Sequence, residues 1–187
     1  MNAPAATTLH RPPEQRINVL QGTSFVTDDP AVVLTTVLGS CIACCLYDPH
    51  ARVGGMNHFL LSEPRHGRMR DDGEAERYGL YAMELLVNEM LKRGASRSWL
   101  RAHLYGGANL HAGMHAIGTD NGRFARDFLI KDGIELSQAN IGGNTPRRVD
   151  FRAALGQVRC RIVQADARID ENRAPQPPRS SGDVELF

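Results

Sequence analysis

The sequence predicts an α+β fold in which layered mixed β-sheets carry about two helices packed on one side. Most of its apolar segments are short and rich in β-branched residues, as strands are. Only two segments repeat their apolar residues at the spacing of an amphipathic helix. The chain has 187 residues, 42% of them hydrophobic, which is enough for one domain to bury a core.

Composition separates a central body from two polar ends. Residues 1–15 are rich in Ala, Thr and Pro and are predicted to be disordered. Residues 168–187, which contain DENRAPQPPRSSGD, are predicted to form a flexible tail. We therefore expect a single domain over residues 16–167.

Charge and hydropathy exclude several classes of partner. The 22 basic and 21 acidic residues give a net charge of +1, so nothing favours nucleic acid or an anionic membrane. No apolar run approaches the roughly 20 residues that span a bilayer. The first residues also lack the apolar stretch of a secretory signal. We expect a cytoplasmic protein that is not inserted in the membrane.

Three strands are predicted in the first part of the body. Residues 32–38 and 42–47 are apolar and β-branched, and Gly39-Ser40 between them indicates a sharp bend. After a turn at residues 48–50, a third strand is predicted over residues 53–61. We expect the three strands to form one contiguous sheet.

The two predicted helices lie further along. Helical spacing extends over residues 76–93, and Gly94 ends this helix. A second helix is predicted over residues 122–131, capped by Asp120 or Asn121. Further strands are predicted over residues 99–105, 134–138, 148–151 and 157–163. The polar segment 62–73 is either a mobile flap or a solvated connection.

Four cysteines bear on the chemistry, and Cys41 and Cys44 form a C-x-x-C pair. A zinc site needs a second ligand pair at close spacing, and strand alternation sends Cys41 and Cys44 to opposite faces. We therefore predict no metal site and no disulfide. Cys160 alternates with other apolar residues of a strand, so it is predicted to be core.

Cys41 is a candidate nucleophile because of the residues around it. Backbone N–H groups around the Gly39-Ser40 bend can point at a developing oxyanion. His58 follows 17 positions later (58 − 41), so an antiparallel return strand would bring an imidazole base close to the thiol. Thr35 or Thr36 is available to orient the imidazole. On residue types alone, however, packing of a cysteine in an apolar strand is the commoner explanation.

Six segments of the chain are distinctive when taken together: TVLGSCIACCLYDP, GGMNHFLLSEP, YGLYAMELLVNEMLKRGA, LYGGANL, IGTDN and IGGNTPRRVDF. They span roughly residues 17–163. In this order they closely resemble the CheD family of chemoreceptor glutamine deamidases.

The resemblance implies an activity and a set of residues. It implies hydrolysis of glutamine side chains in methyl-accepting chemotaxis receptors to glutamate and ammonia, without metal or organic cofactor. Carried over by motif, the nucleophile is Cys41, the base is His58 and the third catalytic residue is Thr35. The bend itself, apart from the resemblance, predicts that Gly39 and Ser40 wall the oxyanion site. The fold is expected to resemble the catalytic domain of the cytotoxic necrotizing factors.

Two other functions compete with this one. A non-catalytic adaptor would bind the receptors or the chemotaxis phosphatase CheC, which family members can also bind. A transglutaminase would use an amine in place of water. The intact cysteine, histidine and threonine favour an enzyme over a pure adaptor.

Overall fold

The computed structural model describes residues 13–61, 72–110 and 117–163, in which nine strands and two α-helices form. Two short 3₁₀ turns lie at Arg97–Trp99 and Ala153–Leu155. In chain order the elements are β1 (Gln15–Asn18), β2 (Thr23–Thr27), β3 (Val32–Leu38), β4 (Ile42–Asp48), β5 (Val53–Phe59), α1 (Asp72–Lys92), β6 (Arg101–Gly106), α2 (Ile117–Lys131), β7 (Glu135–Ile141), β8 (Arg147–Arg152) and β9 (Gln157–Ile162).

The strands form two mixed sheets that pack face to face. One has four strands in the order β1-β3-β8-β9, and the other has five in the order β2-β5-β4-β6-β7. Helices α1 and α2 cover the outer face of the five-stranded sheet, where their apolar residues join one core cluster. A second cluster fills the space between the sheets. The predicted α+β class, with layered mixed sheets and two helices on one side, is confirmed.

Core packing explains why α1 forms where the apolar spacing predicts it. Met83, Leu86 and Met90 are fully buried against the five-stranded sheet. Burying each such side chain contributes roughly 1.5–3 kcal/mol.

Within the described residues, no helix combines the length and the apolarity that crossing a membrane requires.

The prediction of one contiguous sheet for the first three long strands is wrong. β4 and β5 pair antiparallel, as expected, but β3 pairs with β1 and β8 in the other sheet. The bend at Gly39-Ser40 therefore carries the chain from one sheet to the other. Local sequence revealed the bend but not the partners of β3, because β1 carries no clear strand pattern and β8 lies more than 100 residues away.

The beginning of α2 also differs from its prediction. The helix starts at Ile117 rather than at residue 122, so Asp120 and Asn121 lie inside it and are not caps. The first turn is capped by Asn109, whose Oδ1 accepts a hydrogen bond from the Gly118 amide at 3.1 Å. Polar residues at 119–121 looked like a helix start because short polar side chains favour caps.

Strands β1 and β2 were not predicted. Both are short, QRIN and TSFVT, and each lies at the edge of its sheet; β1 is mostly exposed, and β2 is buried only at its last two residues. The expectations for the tail at residues 168–187 and for most of the segment 62–73 lie outside the described residues. So do residues 1–12 of the predicted N-terminal segment, whereas Gln15 already pairs in β1.

Candidate active site

The bend before Cys41 is held by the backbone of a glycine-rich turn. The Ala108 amide donates to the Gly39 carbonyl at 2.8 Å, and the Gly107 amide donates to the Cys41 carbonyl at 2.7 Å. Gly106 makes this approach feasible, because a Cβ there would lie 2.1 Å from the Cys41 carbonyl oxygen. The glycine-rich stretch GGAN at residues 106–109 thus fixes the bend.

A side chain of α2 completes the support of the same bend. Asn121 Nδ2 donates to the Ser40 carbonyl at 2.9 Å, and its Oδ1 accepts from the Leu61 amide at 2.8 Å. Asn121 is fully buried, so both of its polar groups depend on these partners. The bend, the segment after β5 and helix α2 are therefore joined through one side chain.

Cys41 lies at the edge of the interior, with its thiol partly accessible. Its Sγ donates a hydrogen bond to Gln21 Oε1 at 3.3 Å. Gln21 belongs to the turn between β1 and β2, which is tied to β5 by a 2.7 Å hydrogen bond from the Gly22 amide to the His58 carbonyl. Gln21 could not be predicted from the sequence, since a lone amide side chain in a turn carries no pattern.

His58 lies on the same face of the sheet as Cys41. The register pairs Ala43 with His58, and Cys41 precedes Ala43 by two residues. Residues two apart share a face, so Cys41 and His58 are diagonal neighbours, a relation that spans about 7–8 Å between backbones and lies within reach of long side chains. The predicted antiparallel return is confirmed.

The hydrogen bonds of His58 identify which ring nitrogen is basic. Thr36 Oγ1 lies 2.9 Å from His58 Nδ1, and the same hydroxyl donates to the Val19 carbonyl at 2.9 Å. A hydroxyl that donates its proton to a carbonyl accepts from the imidazole, so Nδ1 carries the hydrogen. The Val19 carbonyl, 3.3 Å from Nδ1, favours the same tautomer. Nε2 is then the nitrogen with the lone pair.

Thr35 points away from His58. Its hydroxyl donates to Asp150 Oδ1 at 2.9 Å, and Asp150 also contacts Arg16 at 3.2 Å and Arg161 at 2.8 Å. Burial alone would raise the pKa of Asp150, but the Thr35 hydrogen bond and the two guanidinium groups lower it on balance. Because neighbouring residues of a strand face opposite sides, the structure brings Thr36, and not Thr35, to the imidazole.

The remaining cysteines are in environments that suppress nucleophilicity. Cys44 and Cys45 are fully buried in β4, and burial raises the pKa of both thiols. Cys160 is half-buried on β9, where burial also raises its pKa. Cys44 joins the core under the helices while Cys41 contacts the core between the sheets, so the two face opposite sides as predicted.

The described residues contain no candidate metal site. Across the parts of the chain that the structure describes, no group of three or more His, Cys, Asp or Glu side chains is placed to hold a metal ion. The local chemistry therefore centres on a thiol, an imidazole and the backbone amides of a fixed bend.

Comparison with known proteins gives a consistent family. The family model described as CheD chemotactic sensory transduction matches residues 60–162. A Caulobacter vibrioides protein named probable chemoreceptor glutamine deamidase CheD is 50% identical over 95% of this chain and 97% of its own length. A Zymomonas mobilis protein of the same name is 51% identical over 92% and 93%.

Structural comparison adds only a remote likeness. A crystal structure of a Neisseria meningitidis protein of the DUF152 family matches with a TM-score of 0.43 and 11% identity, covering 71% of this chain and 64% of that one. The family assignment rests instead on the sequence relatives, which align along nearly the whole chain and are identical to it at about half of the aligned positions. The chain belongs to the CheD family.

Proposed function

We propose that this protein is a protein-glutamine glutaminase that deamidates glutamine side chains of chemotaxis receptors. Relatives that are identical to this chain at about half of the aligned positions are named probable chemoreceptor glutamine deamidases. The observation that carries the proposal is the shared face of Cys41 and His58 beside a bend whose carbonyls are all held. A thiol, a base of defined tautomer and aligned amides are the parts that acyl transfer from an amide needs.

The reaction begins with proton transfer from Cys41 Sγ to His58 Nε2. The thiolate attacks Cδ of the substrate glutamine, and the carbonyl oxygen becomes an oxyanion held by backbone N–H groups at Ser40 and Cys41. Collapse of this intermediate breaks the C–N bond, and the imidazolium gives its proton to the leaving ammonia. A thioester remains on Cys41.

Hydrolysis of the thioester completes the cycle. His58 takes a proton from water, the hydroxide oxygen bonds to the thioester carbon, and the C–S bond breaks. The thiolate then recovers a proton and glutamate leaves. No step draws on a metal or an organic cofactor.

We assign the orientation of His58 to Thr36 rather than to Thr35, which the family motif implied. The support is the 2.9 Å contact of Thr36 with Nδ1, against the contact of Thr35 with Asp150. An orienting partner on Nδ1 keeps Nε2 available as the base. Gly39 and Ser40 are assigned to the wall of the oxyanion site.

We place the reaction in the cytoplasm, and we propose a CheC-type phosphatase as a further partner. A reducing compartment suits a chain whose four cysteines form no disulfide, one of them being needed as a thiol nucleophile. The phosphatase is proposed on family resemblance, and co-purification of the two proteins tests it.

The function is tested on a receptor cytoplasmic fragment by mass spectrometry of its glutamine-containing peptides. Conversion of an amide to an acid raises the peptide mass by roughly 1 Da through the hydrolytic step. We expect conversion by the wild-type protein, none by Cys41→Ala, and full conversion by the matched control Cys160→Ala, which removes another half-buried free thiol.

Other outcomes separate the competing functions. Conversion by Cys41→Ala at the wild-type rate would refute the proposed nucleophile. Binding of the fragment by wild type without any conversion would favour the adaptor. A mass gain that depends on an added primary amine, in place of the acid product, would favour a transglutaminase.

A further inference from the structure

Asn121 holds the Ser40 carbonyl of the bend, to which no backbone amide of the described residues donates. The carbonyls before and after it, at Gly39 and Cys41, accept from the amides of Ala108 and Gly107. The Ser40 carbonyl accepts from the Asn121 side chain at 2.9 Å. The orientation of the Ser40–Cys41 peptide therefore depends on a side chain that reaches it from α2.

That peptide carries the amide of the candidate nucleophile. In a planar trans peptide the C=O and N–H bonds point in opposite directions, and every peptide bond in the described residues is trans. Fixing the Ser40 carbonyl toward α2 thus aims the Cys41 N–H to the other side of the peptide plane. The N–H of a nucleophilic residue is a common oxyanion donor in acyl transfer.

The environment makes the Asn121 hydrogen bond hard to replace. The side chain is 0% exposed, and its Oδ1 is engaged by the Leu61 amide at 2.8 Å. That second bond fixes the amide plane and leaves Nδ2 as the atom facing Ser40. Loss of the side chain would leave the Ser40 carbonyl without this donor, so the carbonyl would turn to find another partner.

We propose that Asn121 is a positioning residue that sets the oxyanion site by orienting the Ser40–Cys41 peptide. The inference rests on the proposed deamidase function and deepens it. Asn121 does not touch the substrate. Its loss removes the alignment of one oxyanion donor, a change that lowers kcat by about 10²–10³-fold in enzymes of this chemistry.

A purely structural role is the alternative, and Asn57 supplies a matched control. Asn57 is 1% exposed, its Oδ1 accepts from the Cys44 amide at 3.0 Å, and its Nδ2 donates to the Ala82 carbonyl at 3.0 Å. Like Asn121, it is buried and bridges one backbone amide and one backbone carbonyl. The carbonyl that it holds belongs to α1, on the face of β5 opposite His58.

The test compares Asn121→Ala with Asn57→Ala in the full chain. Three quantities are measured: the thermal midpoint, kcat and KM for deamidation of the receptor fragment, and the rate of Cys41 alkylation by iodoacetamide as a function of pH. Alkylation needs the thiolate but no oxyanion site, so it reports His58 and Cys41 alone. Purely structural damage would move alkylation together with kcat.

We expect both variants to lose similar stability while only Asn121→Ala loses catalysis. Its kcat should fall by about 10²-fold or more with KM changed less than about threefold, and the alkylation profile should match wild type. Asn57→Ala should keep kcat within about threefold. If Asn121→Ala does not fold, Asn121→Asp takes its place, because Asp keeps the acceptor for the Leu61 amide. Its alkylation rate is then compared with that of wild type at high pH, where the rate no longer changes with pH.

Distinct results would overturn the inference. Equal kcat for the two alanine variants, or parallel losses of kcat and alkylation in Asn121→Ala, would reduce Asn121 to a structural residue. So would failure of both Asn121 variants to fold while Asn57→Ala folds. An inactive wild type would instead refute the proposed deamidase function, and the wild-type control separates the two failures.

Discussion

The two adjacent threonines of β3 offer a sharp test of how His58 is oriented. Thr36→Val removes a hydroxyl that contacts His58 Nδ1 at 2.9 Å, whereas Thr35→Val removes one that contacts Asp150 at 2.9 Å. The substitutions are chemically identical and one residue apart. Both threonines are buried, and valine keeps the shape of threonine, so each variant loses one hydroxyl without opening a cavity.

The expected loss of activity in Thr36→Val is moderate. One hydrogen bond contributes about 0.5–1.5 kcal/mol net, and about 1.4 kcal/mol corresponds to tenfold in rate. The Val19 carbonyl, 3.3 Å from Nδ1, still accepts the same proton and preserves the tautomer. We therefore expect kcat to fall by about 3–10-fold, rather than by the roughly 10⁴-fold that follows loss of tautomer control in a triad.

The assay measures kcat on the receptor fragment together with the pH dependence of Cys41 alkylation. Thr35→Val should retain kcat within about twofold per folded molecule, because no hydrogen bond of its hydroxyl reaches the imidazole. Equal losses in the two variants, or a larger loss in Thr35→Val, would refute the orientation deduced from the structure. Such a result would favour the role that family resemblance gave to Thr35.

Three further perturbations test other parts of the structure. Asp150 has a lowered pKa when folded, so its stabilisation is present above its unfolded pKa of about 3.9 and is lost as pH falls through the folded value. The urea concentration at half-unfolding should therefore fall less steeply at acid pH in Asp150→Asn than in wild type. An equally steep fall would contradict this. Gly106→Ala should lower the melting temperature sharply, because its Cβ would lie 2.1 Å from the Cys41 carbonyl oxygen at a φ of 109°; a wild-type melt would refute the packing. Gln21→Glu should shift alkylation of Cys41 to higher pH, since a carboxylate beside the thiol disfavours the thiolate; an unshifted profile would mean that the side chain does not stay there.

Local sequence was sufficient where neighbours along the chain determine structure. β3 has its predicted bounds, and β4 and β5 differ from theirs by one or two residues, because β-branched runs end at turn residues. The separation of Cys41 and His58 was compatible with one strand, a turn and a return. Their shared face followed from alternation once that pairing existed.

Distant pairing decided what the sequence could not predict. Which threonine meets His58 depends on how β3 packs across the interior onto β5, and no residue near either threonine encodes that choice. Asn121 looked like a helix cap because a polar side chain near a helix start usually is one. Its true partners, Ser40 and Leu61, lie 81 and 60 residues away in the chain.

The bend that crosses between the sheets makes activity a property of the finished molecule. Cys41 leaves the ribosome before β8, the strand whose Phe151 pairs with Leu34 of β3. The Ser40 carbonyl likewise gains its hydrogen bond from Asn121 only after α2 has formed and packed. Contacts this distant form late, because the chain must close long loops first. A nascent or partly folded chain would therefore carry a thiol without an aligned site, and receptor modification would begin only after the last strands dock.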